Sequence, residues 1–294
     1  MDKDLSEYDI TFAILKKIKD DIGDNPLSRE IYNIMGEAIS ESIDAVHCEL
    51  SASSSVGWGD CAAYQWRKQK WNGSKEPSTI GTIIHFVMSE ILIRIIKGDE
   101  LKDERFDALM WLLKNGGEYL NEPGIKSVWR ILNLVTSNPD TTWNSEVFIC
   151  YDKISIPKLS MRFGGSIDLL GIDTARKIIT VIDLKTGKNV VHPDSWQLAC
   201  YAMMSKDYFG YIKDFSEYKF VCGISQNGSI QSETFTYKEL ADKEDHIKDQ
   251  VKKIEFAYDN GISTTDKNDM KYPDLFKSNK CCRFCKGCRY SLEQ

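Results

Sequence analysis

The chain has 294 residues, of which 42% are hydrophobic and 28% are charged, and its net charge is −6. This composition indicates a globular protein with a hydrophobic core, and the negative charge argues against a surface that is basic all over and binds any polyanion. No run of about eighteen uncharged apolar residues is present, so we expect no membrane-spanning segment. The N-terminal segment MDKDLSEYD is polar and acidic, unlike a secretory signal peptide, so we expect a cytoplasmic location.

The first 130 or so residues have apolar positions spaced near 3.6 residues, which predicts helices. The clearest helix is 82–98, TIIHFVMSEILIRIIKG, which opens in the Ser78-Thr79 region and ends at Gly98. Its dense apolar positions predict burial. Residues 51–60, SASSSVGWGD, predict a loop. A short basic segment between Trp66 and Trp71 is a candidate for part of a DNA-binding groove. Its basic residues are Arg67, Lys68 and Lys70.

The middle of the chain is rich in β-forming residues with turn signals between them. The predicted elements are strands at 146–152, 158–173 and 177–185, a helix at 194–206, strands near 217–224 and 229–236, and a charged helix at roughly 238–258. Residues 173–176 predict a hairpin turn. Strands that begin as a meander and then cross through a helix predict a mixed α/β sheet with helices on its faces.

The segment TVIDLKTGK places an acid and a base at the end of a predicted strand. Asp183 and Lys185 are two residues apart, so they share one face of the strand. The turn at 173–176 would bring Asp168 opposite Asp183, and two converging carboxylates repel unless a cation lies between them. Oxygen ligands of this kind suit Mg²⁺ or Mn²⁺, and a neighbouring lysine suits hydrolysis of a phosphodiester. The alternative is a solvent-exposed strand end with an ordinary ion pair.

Three motifs in this order resemble the RecB-type branch of the PD-(D/E)XK nuclease superfamily: GSID at 165–168, VIDLKTGK at 181–188 and QLACY at 197–201. The resemblance implies that Asp168 and Asp183 bind the metal, helped by the Leu184 carbonyl, and that Lys185 serves catalysis. It also implies that Gln197 and Tyr201, four residues apart on one helical face, help to hold DNA and the active site.

Two further site residues follow from the same resemblance. Gly81-Thr82-Ile83-Ile84-His85 is similar to the family's G-x-x-x-H helix, which makes His85 a further metal ligand. The alternative for His85 is a core histidine with satisfied hydrogen bonds. Glu146 opens the strand before Gly165, where the family often has an acid near the site.

Four of the nine cysteines lie between residues 281 and 288, a clustering that favours metal or Fe–S ligation. Cys61, Cys282, Cys285 and Cys288 resemble the cluster ligands of the family's iron–sulfur nucleases, the AddB-type and CRISPR-adaptation exonucleases. This resemblance implies a [4Fe-4S] cluster that clasps the two ends of the chain. The last gap is shorter than in the family, Cys281 is an ambiguous fifth candidate, and Zn²⁺ fits four thiolates equally well.

We therefore expect an α/β protein with a PD-(D/E)XK restriction-endonuclease-like core, a helical N-terminal part and a C-terminal cysteine clasp. The expected division is 1–140, contributing Cys61 and His85, then a nuclease core at 141–260 and a cysteine segment at 261–294, all in one compact domain. The expected activity is that of a Mg²⁺- or Mn²⁺-dependent deoxyribonuclease, an exonuclease on single-stranded DNA or duplex ends, in recombination, repair or replication.

The alternatives to this function are a structure-selective endonuclease, a non-catalytic DNA-binding subunit and a zinc-clasped interaction protein. No P-loop of the G-x-x-x-x-G-K-[ST] kind is present, so any ATP-driven unwinding requires a partner such as a helicase or recombinase.

Overall fold

The computed structural model describes residues 6–44, 48, 50–55, 75–99, 101–157, 160–187, 191–192 and 196–260. Several predicted residues lie outside this part of the chain. They are the cysteines Cys61, Cys281, Cys282, Cys285 and Cys288, and the basic residues Arg67, Lys68 and Lys70. The predictions for the cysteine clasp and for the basic groove therefore remain predictions from sequence.

Helices form the first part of the described chain, as the apolar spacing predicted. They are α1 (Glu7–Ile22), α2 (Pro26–Asp44), α3 (Glu76–Lys97), α4 (Glu104–Asn115) and α5 (Glu122–Thr136). The first begins at a capping box, in which the Ser6 hydroxyl accepts from the Asp9 backbone and the Asp9 side chain accepts from the Ser6 backbone. This local signal explains why α1 begins where it does.

Helix α3 begins at Glu76, two residues before the predicted opening at Ser78-Thr79, and Pro77 is compatible with its first turn. It ends at Gly98, whose φ of 69° lies in the left-handed region that glycine adopts at helix ends. Among the described helices, only α3 is long and apolar enough to cross a membrane, and half of its apolar window is buried inside the protein. Its apolar face is thus part of the core.

The strands form one six-stranded mixed sheet, which confirms the predicted fold class of a mixed sheet flanked by helices. The strands are β1 (Leu50–Ser51), β2 (Thr142–Ile156), β3 (Met161–Asp173), β4 (Ile178–Lys185), β5 (Lys219–Gln226) and β6 (Ser229–Thr236). The order is β1-β3-β4-β5-β6, and β2 pairs with the other edge of β3. β2–β3, β3–β4 and β5–β6 are antiparallel, whereas β1–β3 and β4–β5 are parallel.

The prediction of a loop over 51–60 was wrong at its start. Ser51 belongs to β1, and residues 52–54 form a turn of 3₁₀-helix. A strand of two residues is too short to show alternation in its sequence. It exists only because Leu50 pairs with Phe163 of β3. Pairing with β3 also extends β2 well beyond the predicted 146–152.

Two hydrophobic layers cover the two faces of the sheet. Helices α6 (Trp196–Tyr208) and α7 (Tyr237–Asp259) pack on one face, and α1 to α5 pack on the other. Alternation along β4 divides its side chains accordingly, with Val181 in the first layer and Ile182 and Leu184 in the second. Arg105 of α4 ties the helical layer together through ion pairs with Glu37 of α2 and Glu90 of α3.

Candidate metal centre

Three adjacent strands place one acid each in a row across the sheet. Leu169 of β3 pairs with Ile182 of β4 in an antiparallel register. One residue back along β3 and one forward along β4, Asp168 therefore lies opposite Asp183. On the other side of β3, the residues just before and just after Glu146 on β2 pair with the residues on either side of Asp168. Glu146 therefore lies opposite Asp168. The hairpin predicted from sequence therefore brings the two aspartates together, and the third carboxylate comes from the edge strand.

Glu146 has an unusual backbone conformation for a residue inside a strand. Its φ of 51° lies in the left-handed region, which is costly for a residue with a Cβ and no local hydrogen-bonding side chain. Glu146 is itself absent from the paired residues of β2 and β3, and the neighbouring Ser145 hydroxyl donates to the Asp168 carbonyl at 3.1 Å. Outliers of this kind concentrate at functional sites.

A histidine from the helical layer completes this cluster. His85 of α3 places Nδ1 3.4 Å from Oδ1 of Asp168, and the His85 side chain is 32% exposed. One ligand atom each from His85, Glu146 and Asp168 lies within 4.8 Å of the other two. The structure thus brings the predicted ligands His85 and Asp168 together with the acid that the sequence marked only as a possible site residue.

Asp183 is held next to this cluster by groups on its own face of the sheet. Lys185 Nζ lies 2.7 Å from Asp183 Oδ2, and Gln197 Nε2 of α6 donates to Asp183 Oδ1 at 2.9 Å. The same Gln197 amide donates to the Tyr201 hydroxyl at 3.1 Å. Gln197 and Tyr201 are both buried, so in this structure they order Asp183. Their predicted role in holding DNA stays a prediction.

The turn after β4 fixes the position of Lys185. Asn121, which caps the first turn of α5, donates from Nδ2 to the Thr186 carbonyl at 3.1 Å. A Cβ on Gly81 of α3 would lie 2.8 Å from the Thr186 Oγ1, so a glycine at this position allows helix and turn to approach. The Gly81-to-His85 motif therefore has two functions: its glycine seats the helix on the turn, and its histidine reaches Asp168.

The crowded ionisable groups shift one another's pKa values. For His85, burial disfavours the charged ring, but the Asp168 carboxylate outweighs burial and raises the pKa to about 9. Burial within the cleft, and then the charge of Asp168, raises the pKa of Glu146 to about 8. Burial also raises the pKa of Asp183 to about 6, although the Lys185 ammonium opposes it. Burial would raise the pKa of Asp168 as well, but His85 lowers it below its ordinary value.

These residues fit a divalent cation. Two of the three carboxylates have raised pKa values, so their full ionisation requires positive charge nearby. Apart from the Lys185 ammonium 2.7 Å away, the buried Oδ2 of Asp183 has no polar partner among the described residues. Carboxylate oxygens with one imidazole suit Mn²⁺ or Mg²⁺ in an open site. The Leu184 carbonyl, predicted as a ligand, stays a prediction; the Leu184 amide donates to Asp168 Oδ2 at 2.6 Å.

Two members of the cluster, His85 and Glu146, line an open cleft, whereas Asp168 and Asp183 are buried. A cleft of about 760 Å³ has walls from α2, α3 and the turn after β4, and it includes His85, Glu146 and Thr186. A second cleft, of about 360 Å³, begins on the other side of Glu146. A polymeric substrate could therefore reach the cluster from solvent and continue past it.

Sequence reasoning missed the residues that position the cluster. Asn121 is recognisable as a helix cap from NEPG at 121–124, but its hydrogen bond to Thr186 joins parts of the chain that are 65 positions apart. Ser145 gave no signal at all. Such contacts depend on tertiary packing, which one sequence does not report.

Comparisons with known proteins assign no activity to the chain. A family profile described as "Protein of unknown function (DUF2800)" matches residues 47–293. No curated protein matches the sequence.

Two solved structures are distantly similar to the chain. An Eubacterium rectale protein provisionally named as an exonuclease has 14% identity and a TM-score of 0.36, covering 72% of this chain and 82% of its own. The protein SSO0001 has 15% identity and a TM-score of 0.35, covering 88% and 96%. Likenesses this distant carry no argument about activity, so the function must be argued from the site.

Proposed function

The chain belongs to the DUF2800 family, whose description names no activity, and we propose from the site itself that it is a Mg²⁺- or Mn²⁺-dependent deoxyribonuclease. The observation that carries the proposal is the convergence of His85, Glu146 and Asp168 beside the Asp183–Lys185 pair. Of these residues, His85 and Glu146 line an open cleft. Acids from three strands, an imidazole from a packed helix and a lysine at the strand end are the groups that metal-assisted phosphodiester hydrolysis needs.

His85, Glu146 and Asp168, with Asp183 beside them, would hold the cation. When bound, Mg²⁺ or Mn²⁺ supplies a lowered pKa for an attacking water and offsets charge on the phosphate. The chain's own contribution is orientation: Asp183 is fixed by Gln197, and Lys185 is aimed by the turn that Asn121 anchors.

Lys185 is the residue in position to orient the attacking water. Its ammonium lies 2.7 Å from Asp183 and its side chain is 25% exposed, so it faces both the acid row and solvent. In the proposed reaction the water oxygen forms a bond to phosphorus as the bond to the 3′ oxygen breaks. The 3′ oxygen gains a proton, and the products are a 5′ phosphate and a 3′ hydroxyl.

The preferred substrate is single-stranded DNA or a duplex end, cleaved as by an exonuclease. The resemblance to RecB-type nucleases supports this proposal, and so does the pair of clefts that meet at Glu146. A helicase or recombinase remains the proposed kind of partner for unwinding.

The decisive experiment incubates purified protein with 5′- and 3′-labelled single-stranded, duplex and circular DNA in Mg²⁺ or Mn²⁺. We expect cleavage of linear DNA only, and about a 10²- to 10⁴-fold loss in Lys185→Ala. Lys219→Ala, an exposed lysine on β5, is the matched control and should cleave normally. Cleavage of circular DNA would instead identify an endonuclease. Undiminished cleavage by Lys185→Ala would overturn the proposed site.

The cysteine clasp is proposed from sequence alone. Cys61, Cys282, Cys285 and Cys288 are proposed to hold a [4Fe-4S] cluster, with Zn²⁺ as the alternative. Anaerobically purified protein that is brown and contains iron would support the cluster, whereas colourless protein with one equivalent of zinc would support the alternative.

A further inference from the structure

The second cleft opens along the outer edge of the sheet, directly beyond Glu146. Its walls come from the C-terminal half of α3, the first half of β2 and the end of α6. β2 pairs with β3 on one side, and no described strand pairs with its outer edge. The cleft therefore continues the candidate metal centre across an edge strand, and Glu146 lines both clefts.

Two exposed aromatic rings line this cleft. Phe148 is 41% exposed and Tyr208 is 42% exposed, and the Tyr208 hydroxyl donates to Asn144 Oδ1 at 3.1 Å. Ile93 and Ile96 of α3, both half-buried, form an apolar wall. Exposed apolar rings of this size are stabilised when a ligand covers them, and a flat aromatic ligand can stack on both.

The cleft also carries a cation. Lys97, at the last turn of α3, is exposed, lines the cleft and has no carboxylate partner among the described residues. Flat apolar rings beside one unpaired positive charge are the groups that bind a base together with its phosphate. Phe148 is two residues from Glu146 along β2, a rise of about 7 Å, so a base stacked there would lie beside the reacting phosphate.

From these features we propose that Phe148, Tyr208 and Lys97 form a subsite for an unpaired nucleotide next to the metal centre. The inference rests on the proposed nuclease function and deepens it. A base held in a duplex cannot offer its face to Phe148, whereas an unpaired base can. The subsite therefore selects single strands or frayed ends, with Phe148 and Tyr208 contacting the base and Lys97 contacting the adjacent phosphate.

The test compares oligonucleotides that carry either a normal base or an abasic residue at each position near the cleaved bond. With the intact base, Phe148→Ala should lower kcat/KM for unpaired DNA by about fivefold to a hundredfold, the usual worth of one stacked base. With the abasic residue at the matching position, wild type and Phe148→Ala should cleave equally, because no base remains to stack. Tyr208→Phe keeps the ring and should retain most of the activity that Tyr208→Ala loses.

A matched control is an exposed aromatic ring that lines neither cleft. Phe12 of α1 is 64% exposed and lines neither of the two clefts, so Phe12→Ala should cleave both oligonucleotides as wild type does. Lys97→Met should weaken binding of unpaired DNA and lower the salt dependence by about 0.7 in log–log slope, the value for one phosphate contact on a single strand. Lys97→Arg should keep both the affinity for unpaired DNA and the salt dependence of wild type.

A binding measurement separates failure of this inference from failure of the nuclease proposal. An oligonucleotide with 2-aminopurine at the matching position should be quenched by wild type and less by Phe148→Ala, whether or not cleavage occurs. If wild type cleaves DNA but Phe148→Ala shows the same base dependence, the subsite is wrong and the nuclease proposal stands. If Phe148→Asp instead dissociates a dimer of the wild-type chain, the edge of β2 is an interface between copies and the subsite is overturned.

Discussion

Replacing Glu146 by asparagine should stabilise the protein while removing its response to a divalent cation. Glu146 has a φ of 51° inside β2, and asparagine tolerates this conformation with less strain, a difference of about 1 kcal/mol. The substitution also removes a carboxylate that lies beside Asp168. Burial disfavours the charged form of Glu146 most, and the Asp168 carboxylate disfavours it next. Because the side chain is exposed to the cleft, water reduces this cost, and we count about 1 kcal/mol for its removal. The two effects together should raise Tm by about 4 °C.

A bound divalent cation should reverse the order of stability, so that wild type melts above Glu146→Asn. A ligand that binds only the folded state at a hundred times its Kd stabilises it by about 2.7 kcal/mol, which is about 5 °C in Tm for a chain of this size. Wild type should show this rise with Mn²⁺, and Glu146→Asn should lose most of it. Thermal unfolding followed by circular dichroism, with and without Mn²⁺, measures both effects.

Two variants isolate the two causes. Glu41 also lines the cleft but sits in helix α2, so Glu41→Gln should leave the Mn²⁺ response intact. Lys177 has a φ of 55° in the turn before β4, so Lys177→Asn should relieve a similar strain without touching the cation response. If Glu146→Asn melts below wild type and keeps the full Mn²⁺ shift, Glu146 is neither strained nor a ligand.

The other predictions concern the packing that supports the site. Burial alone would raise the pKa of Glu244, but hydrogen bonds from Lys206 and Lys248 lower it to about 2. The charged carboxylate therefore stabilises the fold fully above the ordinary pKa of 4.5, and about 3 kcal/mol of this stabilisation is lost as the pH falls from 4.5 through 2. Urea unfolding between pH 6 and 2 should show this loss in wild type and not in Glu244→Gln. Gly81→Ala should destabilise the protein by about 1–3 kcal/mol because its Cβ would meet Thr186 Oγ1, and adding Thr186→Ala should restore stability. If Gly81→Ala instead stabilises the protein by about 1 kcal/mol, as this change usually does in an exposed helix, then Gly81 does not pack against Thr186.

Local sequence signals were sufficient for most of the elements and for part of the site. The spacing of apolar residues predicted the helical N-terminal part, and the turn at 173–176 predicted the hairpin that places Asp168 opposite Asp183. The two-residue period of strands put Lys185 on the same side as Asp183. These inferences succeeded because each depends on neighbours within one or two elements, where periodicity and turn chemistry act directly.

Tertiary structure alone decided the rest of the site. The left-handed backbone of Glu146 arises where β2 meets β3, and no residue near it in sequence announces that conformation. The approach of α3 to Thr186 and the cleft beyond Glu146 each combine elements that lie far apart along the chain. Contacts of this kind depend on how whole layers pack, and side-chain packing is set by the fold as a whole rather than by any local pattern.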